Sequence, residues 1–191
     1  MKEMKADILH RIKQNKANPK PLPDYAAFGY DFDPREKFTE VMEAVGGKVL
    51  HQKGKINAAQ LANLFGEGIS IYSGVEDFSS TLDVSSLSPK DLPPIEVVIL
   101  PVQLAVAENG ACYLDESVLP HRVLPFICQH LIFVLEAKSI VGNMHEALEK
   151  IDLSQQGFSV FIAGPSKTAD IEQALVIGAQ GARSLTVFIR Q

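Results

Sequence analysis

The sequence predicts a layered, Rossmann-like α/β fold on a largely parallel sheet, with some antiparallel strands. Three observations predict it. Short apolar runs at 48–50, 69–72, 96–100, 102–107, 131–135, 158–163 and 185–190 contain much Val, Ile and Phe, as strands covered on both faces do. Segments with helical spacing lie between several of them, and strands alternating with helices build a parallel sheet inside a layered domain. Residues 96–115 break this rhythm with closely spaced strands and no helix, which predicts some antiparallel pairing there.

Each element follows in order. A first helix spans about Lys5 to Lys16, with Ile8, Leu9 and Ile12 as a narrow apolar stripe. It stops before Pro19, Pro21 and Pro23, whose alternation predicts an extended connector. Residues 1–24 are therefore read as an arm, and 25–191 as the α/β domain. Phe38, Val41, Met42 and Val45 mark the next helix, closed by Gly46-Gly47. Asn57 and Gln60 form a capping-box pattern ahead of Leu61, Ala62 and Phe65, and Asn143 and Glu146 repeat it ahead of Ala147, Leu148 and Ile151. The proline-rich stretch 85–95 reads as a surface loop. The last helix is expected to start at Thr168, bury Ile171, Ala174 and Leu175, and close at Gly178.

Composition excludes several function classes. The chain has 191 residues, 46% apolar and 21% charged, the balance of a folded globular protein with a sizeable core. No apolar run approaches the roughly 18 residues of a membrane span, and the charged N-terminus lacks a signal-peptide pattern, so the expected location is cytoplasmic. A net charge of −5 argues against nucleic-acid binding. Residues 1–24 carry +3, leaving −8 on the rest. That arm is either a solvated basic helix or a docking arm for an acidic partner or subunit; a homo-oligomer stays open. Cys112 and Cys128 lie in apolar segments and read as buried free thiols. Two thiolates cannot ligate a four-cysteine cluster, so any redox centre must sit on a partner. His10, His51, His121, His130 and His145 show no metal-ligand spacing, so neither a metal nor a bound cofactor is expected on this chain.

Two segments can carry chemistry. Residues 158–172 read as buried strand, tight turn and helix N-terminus, the place where open α/β sheets bind ligands. There, free N–H groups, the hydroxyls of Ser166 and Thr168, and the Lys167 ammonium can hold a carboxylate or phosphate. The structural reading makes Thr168 an N-cap, with Asp170 and Glu172 complementing the helix dipole. The second segment, Val106-Ala107-Glu108-Asn109-Gly110-Ala111, ends an apolar strand. Glu108 is either a partly desolvated nucleophile, with Gly110 allowing close approach, or the exposed corner of an Asn-Gly hairpin. Gly178-Ala179-Gln180-Gly181 adds a glycine-rich turn before the last strand.

Together these segments resemble the LUD domain family, specifically its lactate utilization protein C members. Gly164-Pro165-Ser166-Lys167-Thr168-Ala169-Asp170-Ile171-Glu172 is similar to the family's Gly-Pro-Ser-x-Thr-Ala-Asp-Ile-Glu, and Ala107-Glu108-Asn109-Gly110 to its Ala-Glu-Thr-Gly. Asn109 replaces the usual Thr, and Gln180-Gly181-Ala182 replaces His-Gly-Pro. The resemblance implies a fold of the CoA-transferase and ribose-phosphate isomerase type. It also implies a subunit of a lactate or organic-acid utilization system that oxidises L-lactate to pyruvate together with iron–sulfur partner proteins. On that reading a small carboxylate binds at Gly164, Pro165, Ser166, Lys167, Thr168, Asp170, Glu172 and Gln180, with Asn109, Gly110 and a catalytic Glu108 facing the same cleft. Glu108-Asn109-Gly110 also resembles the CoA-transferase Glu-Asn-Gly motif, which implies instead a stand-alone acyl/CoA-transferase-like enzyme whose Glu108 attacks an acyl-CoA. A non-catalytic organic-acid-binding module is the third reading.

Overall fold

Five parallel strands form the central sheet of the computed structural model, which describes residues 2–17, 20–21, 29–152, 154, 157–169 and 175–191. In chain order the helices are α1 (Lys2–Gln14), α2 (Pro34–Ala44), α3 (Ala58–Phe65), α4 (Leu124–Ile127) and α5 (Met144–Lys150). The strands are β1 (Lys48–Gln52), β2 (Ile71–Ser73), β3 (Val97–Val102), β4 (Leu104–Val106), β5 (Ala111–Asp115) and β6 (His130–Glu136). They continue with β7 (Ile140–Val141), β8 (Ser159–Ile162), β9 (Lys167–Ala169), β10 (Leu175–Ile177) and β11 (Ser184–Arg190). The central sheet has the order β1-β11-β6-β3-β2, so the connection through α3 carries the chain from one edge to the other.

A second sheet, β7-β4-β5-β8, packs on one face of the first. Its β4–β5 and β5–β8 pairs are antiparallel, which is the pairing expected of residues 96–115. The alternation of side chains explains the layers. Val98 and Leu100 of β3 pack toward the second sheet with Phe133, Cys112 and Leu114, whereas Val97 and Ile99 pack toward α3 with Ile132 and Phe188. On the outer face of the second sheet, Leu104, Val106 and Tyr113 meet Ala147 of α5. The layers are thus α3, parallel sheet, mixed sheet and α5.

Local signals set the helix ends. Asp33 accepts hydrogen bonds from the N–H groups of Arg35 (2.8 Å) and Glu36 (3.3 Å), with Pro34 opening α2. Phe38 and Met42 are its buried residues. Asn57 and Gln60 complete both bonds of the capping box that starts α3. Asn143 caps α5 through Glu146 N–H at 2.9 Å. No helix among the described residues is long and apolar enough to cross a membrane.

One expectation changes. The helix foreseen from Thr168 to Gly178 is formed at neither end: Lys167–Ala169 and Leu175–Ile177 pair as an antiparallel ladder, Thr168 opposite Val176. The β-branched Thr168, Val176 and Ile177 suit that ladder, and it competes for the backbone groups a helix would use. Ile171 and Ala174 lie outside the described residues. The expected N-terminal helix is present as α1 (Lys2–Gln14), with Ile8 and Ile12 each 54% exposed. The expected boundary at 24/25 falls within 22–28, outside the described residues.

Candidate functional site

β8 leaves the mixed sheet and turns at Ala163-Gly164-Pro165-Ser166 into β9. Gly164 has φ +75°, and a Cβ there would stand 2.8 Å from the Val45 carbonyl oxygen, so only glycine passes α2 this closely. Ser166 is clamped through its backbone: its N–H donates to Ala182 O and its carbonyl accepts from Gly178 N–H, both at 2.9 Å. Gly181 faces it, where an added Cβ would lie 3.1 Å from Ser166 Cβ. These contacts hold the two glycine-rich segments side by side along one cleft of about 340 Å³.

The wall includes Gly164, Pro165, Ser166, Lys167 and Gln180, with Phe126, Leu131 and Phe161 as apolar surface. Ser166 is half-buried, while Lys167 and Gln180 are exposed at the mouth. Lys167 also has a structural task. Its side chain runs past Gly46 at the C-terminal end of α2, a helix with no basic residue in its last turn, and a cation there offsets the helix dipole. Thr168 belongs to β9 and does not line the cleft. With the ladder in place of a helix, no helix N-terminus at Thr168 supplies N–H groups to an anion. Asp170 and Glu172 lie outside the described residues.

Glu108, Asn109 and Gly110 sit apart from this cleft, at the tip of the β4–β5 hairpin. Glu108 is exposed, and its carboxylate accepts a 2.7 Å hydrogen bond from Met144 N–H, the first residue of α5. Asn109 accepts from Ala111 N–H at 3.0 Å, and Gly110 turns at φ +69° with its N–H on Val106 O. This is the hairpin-corner reading, with Glu108 fastening α5 to the turn. Both motif-bearing turns border α2: Gly110 approaches Met42, and Gly164 approaches Val45.

Sequence reasoning missed Phe126 and Leu131. The first comes from the four-residue α4, whose Pro125 near the helix start was the sole local hint. Cys112 and Cys128 are buried as expected; burial pushes the Cys112 thiol far up and that of Cys128 up to about 12, so neither offers a thiolate at neutral pH. Among the described residues no group of three His, Cys, Asp or Glu side chains could hold a metal. His130 and His121 have structural partners, Ser184 Oγ at 2.8 Å and Val84 O at 2.7 Å respectively.

Comparison with known proteins bears on the family and the fold. The chain is 27% identical over 158 residues to an uncharacterized protein of Neisseria meningitidis serogroup B, covering 78% of this chain and 64% of the relative. It is 33% identical over 82 residues to lactate utilization protein C of Bacillus pumilus, covering 40% of this chain and 34% of that protein. The chain thus spans less than two thirds of the length of these curated relatives. The crystal structure of a DUF162 family protein from Deinococcus radiodurans superposes with a TM-score of 0.60 at 18% identity, over 90% of this chain and 100% of the other, which establishes the shared fold. The LUD domain profile matches residues 90–189, more than half of the chain and all the residues that line the cleft, and the chain belongs to the LUD domain family.

Proposed function

We propose that this chain serves the utilization of L-lactate or a related organic acid, as a subunit beside iron–sulfur proteins that oxidise L-lactate to pyruvate. The observation that carries the reading is the cleft, because the segment resembling the family signature and Gln180 both line it. One ammonium (Lys167), one hydroxyl (Ser166) and one amide (Gln180) against Phe126, Leu131 and Phe161 suit a short carboxylate with a small apolar tail. The printed name of the Bacillus pumilus relative supports lactate as the first acid to try.

Oxidation of a 2-hydroxy acid to a 2-oxo acid removes an electron pair and two protons. Two thiols are too few for a four-cysteine cluster, and on this reading the electrons pass to iron–sulfur centres on the partner proteins. The role left to this chain is to hold the acid, or to fix the partner that does. Gln180 stands where the family usually has a histidine. Its amide does not titrate near neutral pH, so acid binding should lack a histidine-type pH step.

Isothermal titration with L-lactate and with pyruvate tests the cleft. Binding should be seen for the intact chain and weaken about tenfold, about 1.4 kcal/mol, in Lys167→Ala or Ser166→Ala. Absence of binding, or binding indifferent to both substitutions, would overturn the assignment of the cleft.

A further inference from the structure

The cleft beside Ser166 exceeds what L-lactate fills. Its volume of about 340 Å³ lies in the range, roughly 300–1,000 Å³, of sites that enclose drug-sized ligands. An acid as short as L-lactate leaves most of that space to water. The groups able to hold a carboxylate and a hydroxyl stand at the outer end, where Lys167 and Gln180 are exposed and Ser166 is half-buried. Among the described residues, Lys167 is the one charged side chain that lines the cleft, so no carboxylate there repels an acid.

The inner end is apolar for a structural reason. Leu131 of β6 and Ala182, just before β11, are 2% and 5% exposed and belong to the core between the two sheets. Val160 and Ile162 of β8 are partly buried against the same core. β8 is an edge of the mixed sheet, and the margin of the core along it lines the cleft. Phe126 of α4 lines it too and is 41% exposed, an aromatic surface left for a ligand to cover. A charged group carried into this end would lose its water without gaining a partner.

We infer that the acid taken by this cleft is a 2-hydroxy monocarboxylic acid with a branched aliphatic tail the size of leucine's, larger than the methyl of L-lactate. Its carboxylate meets Lys167 at the mouth, its hydroxyl meets Ser166 or Gln180, and its tail covers Leu131, Val160 and Phe126. Each methylene taken out of water is worth roughly fourfold in affinity. An isobutyl tail in place of methyl adds about three such groups, so partial burial in an open cleft still leaves a gain of roughly tenfold. The inference rests on the acid-binding reading of the cleft and names which acid it takes.

Calorimetric titration of the intact chain with L-leucic acid, the 2-hydroxy acid that carries leucine's isobutyl tail, and with L-lactate tests the inference. Isobutanol supplies the tail without its acid, and amide chemical shifts place each ligand. L-Leucic acid should bind about tenfold more tightly than either L-lactate or isobutanol and should shift the amides of Leu131, Val160 and Ala182. Phe126→Ala, at an exposed position, should lower the ratio of the two acid affinities about threefold. L-Lactate binding that equals or exceeds that of L-leucic acid, or a ratio unchanged in Phe126→Ala, would overturn this inference and leave the acid-binding reading standing. Binding of neither acid would overturn both.

Discussion

Gly164→Ala isolates the contact on which the cleft wall depends. Two costs add. The backbone at φ +75° is left-handed, worth about 1–2 kcal/mol for a residue with a Cβ. The new Cβ would stand 2.8 Å from Val45 O and 3.1 Å from Val45 Cγ2, and because the oxygen belongs to backbone at the end of α2, the turn or the helix must move. Overpacking of that kind costs about 1–3 kcal/mol. The expected loss is thus about 2–5 kcal/mol, at roughly 2–4 °C of melting temperature per kcal/mol for a chain of this size. Gly54→Ala supplies the control. Gly54 has φ +99° but nothing within 4 Å of an added Cβ, so it carries only the backbone cost. Urea unfolding of both variants, compared at equal slopes, measures the difference as the price of close approach. If Gly164→Ala is no more destabilising than Gly54→Ala, the packing of the signature turn on α2 is not as described.

Other consequences follow from single residues. Glu108→Ala removes the acceptor for Met144 N–H and should cost about 0.5–2 kcal/mol in urea unfolding, whereas Glu108→Gln keeps an acceptor and should cost less. Glu108→Gln should also leave L-lactate binding unchanged; loss of it would restore Glu108 to the chemistry. Burial and the neighbouring Arg183 hold the His130 imidazole below its ordinary 6.5, with Glu96 opposing them. The fold therefore prefers neutral His130: its contribution is complete above the unfolded value and is lost as pH falls through the lower folded value. Unfolding followed from about pH 7 down to about pH 5 should show stability declining with acid, and His130→Asn should flatten that slope. An unchanged slope would mean that another group is responsible.

What was legible in the sequence was what is local. Asn57 and Gln60 announce α3 because both halves of the capping box lie within four residues of each other. The β3 and β6 runs announce buried strands because both of their faces are covered. The 167–177 segment misled because apolar residues at 171, 174 and 175 fit a helix, while the ladder that forms there pairs Lys167–Ala169 with Leu175–Ile177. Glu108 admitted two readings because an apolar strand followed by a carboxylate looks the same whether the carboxylate faces a substrate or the next helix. Only the placement of Met144 N–H separates them. The cleft was half legible: residues 164–167 and Gln180 were named, but α4 is too short to show a period, so Phe126 arrived through tertiary packing alone.

The role proposed for this LUD domain lies beside iron–sulfur proteins in organic-acid utilization. Affinity purification of the chain from its own cells, grown on L-lactate, tests it most directly, with co-purifying chains identified and iron measured. Cysteine-rich proteins carrying iron in near-stoichiometric amounts are the predicted result. A chain that purifies alone under gentle conditions, with no iron in the eluate, would contradict it.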